Sequence, residues 1–189
     1  NLRCSYCLVK GKSPERMSRE TAFLALSFLV ERAEKNGELS IHFMGGEPLL
    51  EFPLIREIVL RCRELEVEEG HRFDFSLTTN GLLLDREELS FFKEFGVKVL
   101  LSIDGTRQVH DAHRRTAEGA GTYDSIVDRI PLMKQYQPWL GTKMTVAPDS
   151  AGTLFEGVVH LHGLGINQFL FGPADGADWT VPAIRAYEQ

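Results

Sequence analysis

The sequence predicts an α/β protein built on a parallel sheet. Three observations carry that prediction. Short β-rich runs alternate five times with stretches of helical periodicity. No linker, low-complexity tract or internal repeat interrupts the alternation. The chain has 189 residues, 43% hydrophobic and 25% charged, which suits one globular domain with a sizeable core. Strands that alternate with helices pair in parallel through right-handed crossovers, with the helices outside. Two architectures satisfy this pattern, an open doubly wound sheet and a barrel or partial barrel. In both, chemistry gathers in the loops beyond the carboxyl ends of the strands.

A first helix is expected over 19–35, where Phe23, Leu26, Leu29 and Val30 form one stripe and Gly37 supplies a stop. The run 39–44 (LSIHFM) is the first β-rich segment, followed by a helix over 53–69 with Ile55, Ile58, Val59 and Cys62 on its apolar side. The next strand is 73–79 (FDFSLTT). Asp85, with Glu88 three residues on, then opens a third helix that closes at Gly96. A strand over 97–103 (VKVLLSI) leads to a fourth helix from Thr122, which Pro131 should kink or end. The pattern finishes with a strand at 141–146 (GTKMTV), a helix over 150–162, a strand at 166–171 (INQFLF) and a new helix opening at Pro182.

Composition excludes several function classes. The 27 acidic residues outnumber the 21 basic ones, giving a net charge of −6 that repels a phosphate backbone and disfavours nucleic acid as the main partner. The longest apolar stretch, around 22–30, is broken by Ser27 and flanked by charge, so a membrane span is not expected. Three cysteines are an odd number and too few for a disulfide framework. A reducing, cytoplasmic compartment and a metal or redox role follow.

The residues that carry chemistry fall at the strand ends. Cys4-Ser5-Tyr6-Cys7 is a C-x-x-C pair, a spacing shared by half a zinc site, a dithiol redox pair and part of an iron–sulfur ligand set. Zinc needs two more ligands, and no second C-x-x-C exists. The thioredoxin-like reading wants a preceding strand, which this segment lacks. Gly45-Gly46-Glu47-Pro48 ends the first strand. Its glycines let backbone approach a ligand closely, and Glu47 adds an acceptor suited to an amino group. Thr79-Asn80-Gly81 and Ser102-Ile103-Asp104-Gly105 end the next two strands, and the second leads into His110-Asp111-Ala112-His113-Arg114. Each alone reads equally well as an ordinary turn. His110 and His113 are expected to be solvated or hydrogen-bonded surface residues, and Cys62, mid-helix, a small buried hydrophobe.

Taken in order, CSYC, GGEP, TNG, SIDG and HDxxR resemble the radical SAM superfamily. They point to the branch with SPASM-type C-terminal extensions, which includes anaerobic sulfatase-maturating enzymes and peptide maturases. The resemblance runs from Asn1 to about Pro173. It implies one radical SAM core domain over 1–189, folded as a partial (β/α)6 TIM-like barrel whose second to sixth strands are the five runs above. Cys4 and Cys7 match the second and third cysteines of the family's C-x-x-x-C-x-x-C signature, so the first cysteine and the first strand are expected to stand before Asn1. The chain is therefore read as a segment of a longer one, without the C-terminal extension. Alone it is expected to be inactive, with the edge at 39–44 unpaired.

The resemblance also implies cofactors and roles. Cys4 and Cys7 would ligate a [4Fe–4S] cluster whose open iron takes S-adenosylmethionine (SAM), generating a 5′-deoxyadenosyl radical that abstracts hydrogen from a peptide or protein side chain. Tyr6 would lie near the adenine, Gly45, Gly46 and Glu47 would receive the methionyl amino group, and Ser102 and Arg114 would bind polar groups of SAM, Arg114 through its guanidinium fork. Leu170 would touch the adenine, while Asn80 and Asp104 order the mouth or meet substrate. A one-electron donor of flavodoxin or ferredoxin type completes the partners. Asp175 and Asp178 are read as solvated. Two rival readings remain at this stage, a non-catalytic barrel scaffold and a zinc-binding domain using Cys4 and Cys7 with His110 or His113.

Overall fold

The computed structural model describes residues 1–9 and 15–188. Five parallel strands lie in the order in which they occur along the chain: β1 (Glu38–Phe43), β2 (Arg72–Thr79), β3 (Val97–Leu101), β4 (Gly141–Val146) and β5 (Gln168–Pro173). Each crossover contains helix. The sheet curls into a half-barrel of the expected TIM-like type.

The first helix, α1 (Arg19–Glu31), starts at Ser18, whose side chain accepts from the Thr21 N–H. It ends earlier than the sequence pattern suggested, and the left-handed residue beyond it is Asn36 rather than Gly37. α2 (Phe52–Glu69) follows a 3-10 turn at Pro48–Glu51 and buries Ile55, Ile58, Val59 and Cys62, the expected stripe. α3 (Arg86–Phe95) carries both halves of the Asp85–Glu88 capping box and stops at Gly96 in a left-handed conformation. The helix expected from Thr122 is two short ones, α5 (Tyr123–Val127) and α6 (Ile130–Tyr136), preceded by α4 (Arg107–His113). Pro131 sits in the first turn of α6, where its missing N–H costs nothing. α7 (Leu154–Gly163) and α8 (Val181–Tyr187) complete the set.

Strand alternation sorts the side chains by face. On β2, Phe73, Phe75, Leu77 and Thr79 are buried, while Asp74, Ser76 and Thr78 face the open concave side. The register carries that division across the sheet, since His42 pairs with Ser76 and Ser76 with Lys98. The core thus lies between the convex face and the helices, and the concave wall is polar. At the carboxyl ends β3 and β4 diverge, with only Leu100↔Gly141 and Leu101↔Thr142 in register. Thr142 Oγ1 donates to Leu101 O at 2.6 Å across the gap. Gly105 follows, where a Cβ would come within 2.9 Å of Gly157 Cα on α7, so that glycine lets the helix close over the mouth.

Candidate functional site

The C-x-x-C loop is strapped across the carboxyl ends of the strands by the segment around the end of α4. Arg3 N donates to Arg115 O at 2.8 Å and Ser5 N to His113 O at 3.0 Å, and Leu2 and Thr116 form an antiparallel bridge. Cys7 N donates to Cys4 O at 3.2 Å, a tight turn that sets both half-exposed thiols on one loop. They are not joined in a disulfide. The Asn1 side chain accepts from Asn80 Nδ2 at 2.9 Å, and Asn80 N donates to Glu47 Oε2 at 2.9 Å. The loop and the Gly45–Glu47 turn are therefore tied through one asparagine.

Asp104 is the hub of the mouth. Its carboxylate accepts from the Tyr6 hydroxyl, from Arg114 Nε at 2.7 Å and Nη2 at 2.9 Å, and from Thr145 N at 2.9 Å. The last bond fills the ladder position that the divergence of β3 and β4 leaves open. Asp104 and Arg114 are 4% and 7% exposed. Burial alone would push the Asp104 carboxyl up, but the Arg114 guanidinium and the converging donors hold it below its ordinary value. Burial works against the Arg114 charge, and Asp104 reverses that effect. The Tyr6 hydroxyl is pushed far above the usual phenol range, by burial first and by Asp104 beside it. Its ring lies 5.3 Å from that of His113 and 5.4 Å from Arg114 Cζ.

Glu47 is equally committed. Oε1 accepts from Leu49 N at 3.1 Å and from Thr79 Oγ1 at 2.7 Å, and Oε2 accepts from Asn80 N. It caps the 3-10 turn and fixes the end of β2 from beneath. Above it Gly45, at φ +150°, and Gly46 are exposed, and a Cβ on either would meet nothing within 4 Å. That open backbone can take a polar ligand group. Ser102 is buried at the end of β3, its N–H donating to Thr79 O at 2.8 Å. Leu170 stands on the concave side of β5, in register with Lys143. A cavity of about 580 Å³ opens between the C-x-x-C loop and the loops after β4 and β5, with Tyr6, Cys7, His113, Asp149 and Asp175 in its wall.

The two histidines differ from expectation in different ways. His110 is fully buried and not on the surface. Its Nδ1 accepts from Asp104 N at 3.4 Å. Thr122 Oγ1 gives its proton to Arg114 O, so it accepts from His110 Nε2 at 2.9 Å. Burial lowers this imidazole to about 4. His113 is hydrogen-bonded as expected, with Nδ1 2.7 Å from Ser5 Oγ and Nε2 3.0 Å from Asp149 Oδ1. Both rings are thus occupied within the protein, and among the described residues no group of three or more His, Cys, Asp or Glu side chains could hold a metal ion. The zinc reading has no ligand set there. Asp178, like Asp175, lines the cavity as well as meeting solvent. Cys62 is fully buried, its thiol pushed up to about 12 by desolvation, as a packing residue should be.

Sequence reasoning missed α4 and the partners through which Asp104 orders the mouth. α4 is seven residues long and carries no apolar stripe, so periodicity is blind to it. Asp-Gly reads as a turn, and only the buried arginine ten residues on signals the partner.

Comparison with known proteins bears on this mouth. The chain matches the family model of the Radical SAM superfamily over residues 1–148. It is 30% identical over 143 residues to a cysteine-type anaerobic sulfatase-maturating enzyme of Clostridium novyi (strain NT), an alignment covering 72% of this chain and 38% of that protein. It is 26% identical over 176 residues to a serine-type anaerobic sulfatase-maturating enzyme of Klebsiella pneumoniae, covering 92% of this chain and 45% of that one. The chain therefore spans less than half the length of either relative. The solved structure described as native anSMEcpe with bound AdoMet and Kp18Cys peptide superposes with a TM-score of 0.82 at 22% identity, over 99% of this chain and 54% of that one, a likeness of fold.

Proposed function

The chain belongs to the radical SAM superfamily, and from that premise we propose that its barrel mouth holds a [4Fe–4S] cluster and SAM to abstract hydrogen from a peptide or protein side chain. When bound, the two cofactors together supply one-electron cleavage of a sulfonium and with it a hydrogen-atom abstractor. The observation that carries the reading is the pairing of the two half-exposed thiols with an open glycine cradle, tied together through Asn80. The donor set fits: thiolates are the usual protein ligands of such a cluster.

The chain's own residues then take these parts. Cys4 and Cys7 ligate iron. The Gly45–Gly46 backbone receives the amino end of SAM's methionyl group, while Glu47 acts indirectly, holding the cradle through Leu49, Thr79 and Asn80. Arg114 spends Nε and Nη2 on Asp104, so its remaining edge and its charge, with Ser102, face the polar groups of SAM. Tyr6 and Leu170 offer apolar surface to the adenine. Asp104 clamps Tyr6, Arg114 and β4 in one geometry, so the site is organised before any ligand arrives. The peptide assignment draws on the sulfatase-maturating relatives, and the electron comes from a flavodoxin- or ferredoxin-like donor.

The test is anaerobic reconstitution of the full-length protein with iron and sulfide, followed by SAM and dithionite. Released 5′-deoxyadenosine is expected, together with a visible iron–sulfur absorbance that Cys4→Ala and Cys7→Ala each abolish. Wild-type protein that releases none, or alanine variants that keep the absorbance, would refute the assignment.

A further inference from the structure

The concave wall below the mouth carries a charge that the cofactor site does not use. Most of that wall is internally balanced. Lys98 Nζ lies 2.6 Å from Asp74 Oδ1. His42 lies between two hydroxyls of β2, with Nδ1 2.7 Å from Ser76 Oγ and Nε2 3.0 Å from Thr78 Oγ1. One hydroxyl can donate to that ring and the other accept from it, which suits a neutral imidazole. Lys143 differs. It is exposed on the concave side of β4 between buried Thr142 and Met144. Among the described residues no salt bridge takes up its ammonium. The His42 imidazole is held below its ordinary value by partial burial first and by the Lys143 charge second.

The position of Lys143 narrows what it can bind. It pairs in register with Leu170, and it follows directly on Thr142, the last residue of β4 that pairs with β3. It therefore sits in the same row as Leu170, assigned above to the adenine of SAM, on the concave side of the strands. SAM's own carboxylate is one anion that could meet it. In the arrangement above, however, the amino end of the methionyl group lies at Gly45–Gly46 beyond β1, and SAM's polar groups are already met by Arg114 and Ser102.

We propose that Lys143 is a binding site for a substrate carboxylate, an acidic side chain neighbouring the residue from which hydrogen is taken. This rests on the radical SAM reading and names its substrate class, a peptide with an Asp or Glu beside the modified residue. The ammonium on its four-carbon stem would anchor that carboxylate as a point charge, and the rigid strand beneath would hold the target side chain in the lumen.

The test uses the full-length, cluster-loaded protein with SAM, and two fluorescein-labelled peptides identical except for Glu or Gln beside a central cysteine. Fluorescence anisotropy is expected to show the Glu peptide bound about tenfold more tightly, a ratio worth about 1.4 kcal/mol. Lys143→Met should bring the ratio to unity and Lys143→Arg should preserve it, while SAM affinity, read by equilibrium dialysis, stays at the wild-type value in both. Thermal melts check that the variants fold. Equal or absent binding of the two peptides by the wild type overturns the proposal, as does an unchanged ratio in Lys143→Met. A loss of SAM affinity in Lys143→Met with the ratio intact overturns it in favour of the cofactor's carboxylate. Failure of wild-type protein to bind SAM at all defeats the underlying reading instead.

Discussion

Replacing Asp104 with Asn keeps the shape of the hub and removes its charge. The carboxylate accepts four hydrogen bonds, from Tyr6, twice from Arg114 and from Thr145, and both members of the ion pair are less than a tenth exposed. An asparagine offers one acceptor oxygen and turns an NH2 toward donors, so Arg114 keeps its charge in a buried site without a counter-ion. Removing one partner of such a pair costs about 3–5 kcal/mol. At roughly 2–4 °C per kcal/mol for a chain of this size, even the lower figure lowers Tm by about 6–12 °C. Urea denaturation of wild type, Asp104→Asn, Arg114→Met and the double variant closes the cycle. The double variant has no unpaired charge, so its loss should fall short of the summed single losses by about 2 kcal/mol. The acid limb gives a second reading. The folded carboxyl lies below its ordinary 3.8, so the stability contributed by ionised Asp104 is complete above that value and is lost as pH falls through the folded-state value. Asp104→Asn should flatten that limb. A loss under about 1 kcal/mol, or additive single effects, would refute a hub built on buried charge.

Three further outcomes follow from the same geometry. His110, lowered to about 4 from 6.5, contributes stability that is full above 6.5 and declines as pH falls toward 4, so urea midpoints between pH 7 and 5 should drop less in His110→Gln than in wild type. Gly45→Ala has room for its methyl group but adopts φ +150° at a strain of about 1–3 kcal/mol, so SAM binding by equilibrium dialysis should weaken about tenfold or more while far-UV circular dichroism stays unchanged. Iodoacetamide should alkylate Cys4 and Cys7 in the cluster-free protein and leave Cys62 intact, and Cys62→Ala should load iron as wild type does, as mass spectrometry and iron analysis will show.

What the sequence discloses depends on whether a pattern is periodic. The stripe Ile55–Ile58–Val59–Cys62 and the Asp85–Glu88 box specify their helices locally, and the structure has both. Every β-rich run is a strand, displaced at most by about two residues at an end, as with 166–171 against Gln168–Pro173. Ser102 and Ile103 continue the hydrophobic pattern of β3 yet leave the ladder, because β4 turns away there and Asp104 takes over its bonding. The candidate residues at strand ends do converge. Their partners were not legible, since nothing local announces that Glu47 holds Asn80 or that Arg114 is clamped by Asp104. The burial of His110 is hidden for the same reason: one polar residue among several in a seven-residue helix has no pattern, and only the approach of Thr122 and the Asp104 backbone explains it.

The hub and the cradle solve one physical problem in opposite ways. A loop that must present thiols at the surface cannot be held by a core of its own, since Leu2 alone among residues 1–9 is buried. It borrows rigidity from charge instead. The Tyr6–Asp104–Arg114 contact anchors its middle, and the bonds to Arg115 and His113 anchor its backbone. The glycine cradle needs the reverse, an exposed backbone free of side chains, and the buried carboxylate of Glu47 fixes it from below without filling it. Each carboxylate acts by ordering other groups, so each should affect ligand binding through mobility. The observable is hydrogen exchange. In Asp104→Asn the amides of Arg3 and Ser5 should exchange faster, while those of Leu49 and Asn80 remain protected. Equal acceleration in both places would show that the mouth is one cooperative unit and that the two supports are not independent.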